Sequence, residues 1–101
     1  MKTMKTKEDI VRTLGLANRA SKIVYGYDNI YNLLKEEKVV AIYTISNMDG
    51  DSIKQIRSKS SFYNVPLYET LDESDIHKIT GKNNIKMIAL TDKGFYNLLL
   101  K

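Results

Sequence analysis

Residues 39–45, VVAIYTI, constrain the fold more than any other segment. The run is almost continuously apolar and rich in β-branched side chains. A strand of that kind needs cover on both faces. Helical spacing lies on either side of it. Ile10, Val11, Leu14 and Ala17 form one apolar stripe, in a helix that starts at Lys7 and ends near Ala20. Ile30, Leu33 and Leu34 mark a second helix, with Asp28 placed to cap it and Glu37 near its end. A turn at residues 47–51 offers Asp49 or Asp51 as the cap of a third helix reaching Phe62. Asp72 caps a fourth, which Gly81 stops. Thr91 or Asp92 caps a fifth, bearing Phe95, Leu98 and Leu99. Strand-like runs at residues 22–25, 65–69 and 85–91 separate these helices, and Pro66 marks the second run as an edge or a strand entry. The alternation predicts one sheet with helices on both faces.

With 101 residues and 43% apolar content, the chain has room for one core and not for two. It has no cysteine, so disulfides and thiolate metal sites are excluded, in keeping with a reducing compartment. No apolar run approaches the roughly 20 residues of a membrane span. The basic start, MKTMKTK, lacks the apolar segment of a secretory signal. These features lead to the expectation of a cytoplasmic protein, with residues 1–6 a flexible basic extension. Net charge is +4, an excess that permits RNA contact without requiring it. The bases are unevenly placed. Lys2, Lys5, Lys7, Arg12, Arg19 and Lys22 face only Glu8 and Asp9 in the first quarter, whereas Glu69, Asp72, Glu73 and Asp75 form an acidic run.

Catalytic signatures are missing. His77 is the single histidine and reads as a surface residue of a helix. Asp72, Glu73 and Asp75 sit where carboxylates serve a helix N-terminus, which accounts for them without acid–base chemistry. There is no phosphate-binding loop, dinucleotide fingerprint or nucleophile elbow. The chain is therefore expected to have no enzymatic activity, cofactor, metal or small-molecule substrate.

The segment that points to a function is residues 22–32. A short apolar run meets Gly26, and Asp28, Asn29 and Asn32 follow across the first turns of a helix. One reading is structural, a glycine turn and an aspartate cap. The other is that the bare N–H groups of the helix start face a polyanion, while the Asn and Asp side chains read base edges. Tyr27, beside the glycine, is a candidate for stacking on a base. Residues 81–84, GKNN, read as a helix stop and loop, or as a second polar lip at the same sheet edge.

Four segments tip this balance: LGLANRA at residues 14–20, KIVYG at 22–26, YNVPLY at 63–68 and LTDKGF at 90–95. Their order and spacing resemble the kink-turn-binding ribosomal protein family (the L-seven-Ae and L-thirty-e group), and within it the small bacterial YlxQ-like branch. The resemblance spans residues 8–100. It implies a three-layer α/β/α sandwich around a mixed sheet of about four strands. It also implies a monomeric partner of structured RNA, with ribosomal RNA the expected host and no membrane contact.

The family's RNA-binding signature falls on Gly26, Asp28, Asn29 and Asn32 of this chain. Asp49 and Ile53 fall beside the position of an extruded nucleotide. Asn83, Asn84 and Ile85 fall in the second RNA-facing loop. Ile53 and Ile85 are expected to form an apolar lip, with Lys22, Arg19 and Lys82 supplying positive potential. Asn32 stands where the family has a lysine, Asp28 where a donor is frequent and Glu73 where bases are frequent. These departures leave open a second function, a protein-interaction module that keeps the fold without standard kink-turn binding.

Overall fold

The computed structural model describes residues 6–100, so most of the expected basic extension, with Lys2 and Lys5, lies outside the described residues. The order of elements is α1 (Lys7–Arg19), β1 (Ile23–Tyr25), α2 (Tyr27–Lys35), β2 (Ala41–Ile45), α3 (Asp51–Phe62), β3 (Leu67–Leu71), α4 (Glu73–Thr80), β4 (Met87–Leu90) and α5 (Lys93–Leu100). The strands form one sheet in the order β1-β4-β2-β3. β2 and β3 are parallel, and β4 runs antiparallel to both β1 and β2. The sheet is therefore mixed.

Alternation along the strands explains the layers. Ala41, Tyr43 and Ile45 of β2 join Ile88 and Leu90 of β4 in one core, with Leu14 and Ala17 of α1, Ile76 and Ile79 of α4 and Leu99 of α5. The intervening Ile42, Met87 and Ala89 face the other way, onto Ile30 and Leu34 of α2 and Ile53 and Ile56 of α3. The result is a three-layer sandwich, as expected: α1, α4 and α5, then the sheet, then α2 and α3. Every residue of β2 is buried, as its composition requires. Full burial of one such Leu or Ile contributes about 1.5–3 kcal/mol. The first core also holds a stacked pair, Tyr43 on Tyr68, with ring centroids 5.0 Å apart. The Tyr68 and Tyr96 hydroxyls meet at 2.7 Å and tie α5 to the edge strand β3. Burial, and then the bond to Tyr68, pushes the Tyr96 hydroxyl up to about 12.

Three details differ from the sequence reading. The caps of α2 and α3 are Gly26 and Gly50, neither with a side-chain cap bond, so Asp28, Asp49 and Asp51 do not fill that role. β3 starts at Leu67, two residues later than expected. Val65 instead ends α3, donating its N–H to the Ser60 carbonyl at 2.8 Å after Asn64 takes φ of 57°. Thr6 is no part of a loose extension. Its side chain caps α1 and accepts from the Asp9 N–H, while Asp9 returns the bond to the Thr6 N–H. Pro66 does precede an edge strand, and its carbonyl accepts from Ile42 N–H at 3.0 Å.

Candidate functional site

The register of the sheet decides what can meet what. Tyr25 pairs with Ile88 and Thr44 with Met87, so the C-terminal ends of β1 and β2 lie beside the start of β4. Ile45 N–H donates to the Lys86 carbonyl at 3.1 Å at the same end. Both connections, β1 to α2 and β2 to α3, therefore turn over one edge, next to the loop that enters β4.

A groove of about 250 Å³ opens there, lined by Tyr25, Gly26, Tyr27, Met48, Ser52, Asn84, Ile85, Lys86 and Met87. The two segments singled out in the sequence, more than fifty residues apart in the chain, thus share one cleft. Gly26 has φ of 93° and ψ of 133°, and Gly50 φ of 92° and ψ of −168°. Side chains avoid this backbone region. A residue with a capping side chain adopts the β region instead, as Thr6 and Asp72 do. Glycine at these two positions therefore leaves the first N–H groups of α2 and α3 without a side-chain partner.

Asn29 and Tyr27 are held in place. The Asn29 amide Nδ2 donates to the Tyr25 carbonyl at 3.1 Å, leaving its oxygen free to accept. The Tyr27 hydroxyl donates to Gln55 Oε1 at 2.7 Å, which fixes the ring against α3. Asp49 lines an adjoining, more polar hollow of about 470 Å³ with Asn47, Asp51, Glu73 and Lys86. Met48, Ser52 and Lys86 border both hollows. Lys86 is exposed between half-buried Ile85 and buried Met87, and it is a cation that lines both hollows.

Other expected site residues lie elsewhere. Ile53 is 1% exposed and belongs to the core under α3, so it cannot form a lip; half-buried Met48 stands at the groove in its place. Its spacing to Ile56 is that of a buried helix stripe. Lys22 pairs at the opposite end of β1, where its carbonyl accepts from Thr91 N–H at 2.9 Å. The three residues of β1 separate it from Gly26, four steps of roughly 3.3 Å or about 13 Å. Arg19, in the last turn of α1, precedes that same end. Asp28 and Asn32 are exposed one turn apart on α2 and do not line the groove. Lys82 and Asn83 are exposed in the loop after α4, whose shape is set by Gly81 and by Asn84, with φ of 72° and 64°. His77 is exposed and its Nδ1 lies 3.2 Å from the Lys82 carbonyl.

Sequence reasoning missed Gly50, Met48, Ser52 and Lys86. Gly50 repeats the pattern of Gly26, a glycine just before an amphipathic helix, but the flanking aspartates drew the cap assignment. Lys86 carries the ordinary strand alternation, a polar residue between two apolar ones. Among the described residues no group of three carboxylates or histidines is arranged to hold a metal ion.

No family model matches the chain. Two proteins named RNA-binding protein YlxQ are similar in sequence. That of Enterococcus faecium is 28% identical over 89 residues, covering 88% of this chain and 85% of its relative. That of Bacillus subtilis (strain 168) is 29% identical over 87 residues, covering 86% and 87%. In structure, a Bacillus halodurans protein of unknown function superposes with a TM-score of 0.82 at 22% identity, over 89% of this chain and 91% of that one. The Giardia lamblia 15.5kD RNA binding protein superposes with a TM-score of 0.76 at 10% identity, over 96% and 86%. The resemblance carried by residues 14–20, 22–26, 63–68 and 90–95 therefore stands: the chain is YlxQ-like in sequence and has the L-seven-Ae-like fold.

Proposed function

We propose that this chain is a non-enzymatic RNA-binding protein whose groove takes a bent, internally looped RNA of the kink-turn type. The observation that carries this reading is the shared groove. Two uncapped helix starts, the Tyr27 ring, the Asn84–Ile85 lip and the Lys86 ammonium converge on one edge of the sheet. Each part has a matching RNA group. Bare helix N–H groups and Lys86 suit phosphate. The Asn29 oxygen suits a base donor edge, and Ile85 with Met48 suits the face of an extruded base. The names of the sequence relatives support RNA as the ligand class. Ribosomal RNA is the proposed host, with the protein acting as a monomer in the cytoplasm.

The second reading, a protein-interaction module, rests on one observation. Asp49, Asp51 and Glu73 crowd the hollow beside the groove, where phosphate would be repelled. Direct measurement separates the two. The purified protein is titrated with an internally looped RNA and with a straight duplex of equal length, each at two salt concentrations. RNA binding in the groove requires preference for the bent RNA and a steep loss with salt. Ile85→Asp puts a charge on the lip and is expected to weaken the bent RNA at least tenfold, about 1.4 kcal/mol, while changing the duplex much less. Equal affinity for both RNAs, or equal loss in the variant, would leave the interaction-module reading.

A further inference from the structure

Outside the groove, the seam between α2 and α3 has a surface of its own. Tyr27, Tyr31 and Lys35 recur at four-residue spacing along α2, and Gln55, Lys59 and Phe62 follow one another along α3. The contacts cross the seam. Tyr27 bonds Gln55, as described, and the Lys59 ammonium lies 4.6 Å from the Tyr31 ring centroid. The Lys35 ammonium lies 4.7 Å from the same centroid. Tyr27 stacks beside Tyr31 with centroids 6.1 Å apart. One turn beyond Lys59, Phe62 is 78% exposed, the most exposed of the large apolar side chains described.

Two cations on one ring are an unusual economy of charge. Each is attracted by the π system of the ring. Among the described residues neither ammonium takes part in an ion pair. A phosphate that both ammoniums reach would gain two charge-assisted hydrogen bonds. The row begins at Tyr27, which itself lines the groove. From Tyr27 to Lys35 the helix rises about 12 Å, the length of roughly three stacked nucleotides at about 3.4 Å each.

We propose that this seam binds a single-stranded continuation of the RNA held in the groove, with backbone phosphate between Lys35 and Lys59 and a base stacked on Phe62. It rests on the groove reading for where the strand begins. Alternating cations and exposed aromatic rings are the means by which proteins hold single strands without reading their sequence. The seam therefore takes a flanking strand of any sequence, and supplies affinity while the groove supplies selectivity.

The test compares three RNAs: the bent RNA alone, the same RNA with a single-stranded tail of about six nucleotides, and a free oligonucleotide of the tail's length. For the native protein the tail is expected to tighten binding about tenfold, with an added salt slope near 0.7, the value for one single-strand phosphate. Lys35→Gln with Lys59→Gln is expected to remove that gain and its salt slope while binding the tailless RNA as before. Phe62→Ala, at a solvent-facing site, should remove part of the gain and none of the salt slope. A tail that adds nothing for the native protein overturns the proposal, and so does a double variant that keeps the gain. If the native protein does not bind the tailless RNA, the groove reading fails and the free oligonucleotide then judges the seam. Binding by the native protein and not by the double variant supports it, and no binding overturns it.

Discussion

The helices begin in two opposite ways. α1 and α4 start with complete reciprocal boxes, Thr6 with Asp9 and Asp72 with Asp75, and Lys7 reaches across to Asp75 at 2.8 Å. α2 and α3 start at glycines with no side-chain cap. The division follows the layers, since α1 and α4 cover one face of the sheet and α2 and α3 the other. On the first face the backbone donors are satisfied by the chain itself. On the second they are left open at the rim of a groove. In the proposed function the RNA would satisfy these open donors and so restore the stability that the missing caps give up.

The strongest way to break this contrast is to change the glycines. A Cβ on Gly50 would meet no atom within 4 Å, so space does not forbid it, but φ of 92° does. Gly50→Ala is expected to cost about 1–3 kcal/mol, the range for a residue forced into a sparsely populated region. Gly15, inside α1, also has open space around it, with an ordinary helical backbone. Gly15→Ala is expected to stabilise by about 0.5–1 kcal/mol. Chemical denaturation of the two variants reads the sign directly. If both shift the same way, backbone conformation is not what reserves the α3 start for glycine.

A middle-sized effect sharpens the other side. Thr6→Ala removes one cap and should destabilise by roughly 1 kcal/mol, or about 4–8 °C in Tm. Its RNA affinity should match that of the native protein. A loss of affinity would mean that the two faces are coupled, and that the division of labour is wrong.

The smallest effect concerns acid. The bonds from the Thr6 backbone and side chain hold the Asp9 carboxyl below its usual range. The Ser74 hydroxyl, then the Asp75 N–H and Lys7, do the same for Asp72. A depressed folded-state value contributes stability that is present above the unfolded value, near 3.9, and is lost as pH falls through the folded one. Thermal melts between pH 7 and 2 should therefore show a loss beginning below about pH 4. The loss should be somewhat shallower in Thr6→Ala, because the side-chain part of the Asp9 shift is gone while the bond from the backbone N–H of residue 6 remains. Parallel curves for the two proteins would count against the capping box as its source.

These contrasts also show what the residues alone disclose. The burial of β2, the Asp72 cap and the stop at Gly81 were all legible, because each follows from local pattern, and Pro66 marked β3 as an edge or a strand entry. Asp28, Asp49 and Asp51 misled as caps because capping preference presumes a β-region backbone, and only coordinates reveal that glycine stands there at positive φ. Ile53 misled in the other direction: the family pattern put it at a nucleotide, while its helical period put it in the core. Lys22 and Lys86 could not be ranked from the sequence. Sheet register alone sends the first to the far end of β1 and brings the second to the groove.

The strand order has a consequence in time. β1 touches the rest of the sheet only through β4, which is inserted between it and β2. Until residues 87–90 exist and dock, Gly26 and Tyr27 have no sheet partner to hold them near residue 85. Closing a loop of that length is slow, and it must precede any contact across it. Since a ribosome delivers the chain from its N-terminus, the two lips of the groove come together only after β4 has been delivered. A nascent chain can therefore carry finished helices before the groove exists, so the proposed RNA binding waits for β4 to dock.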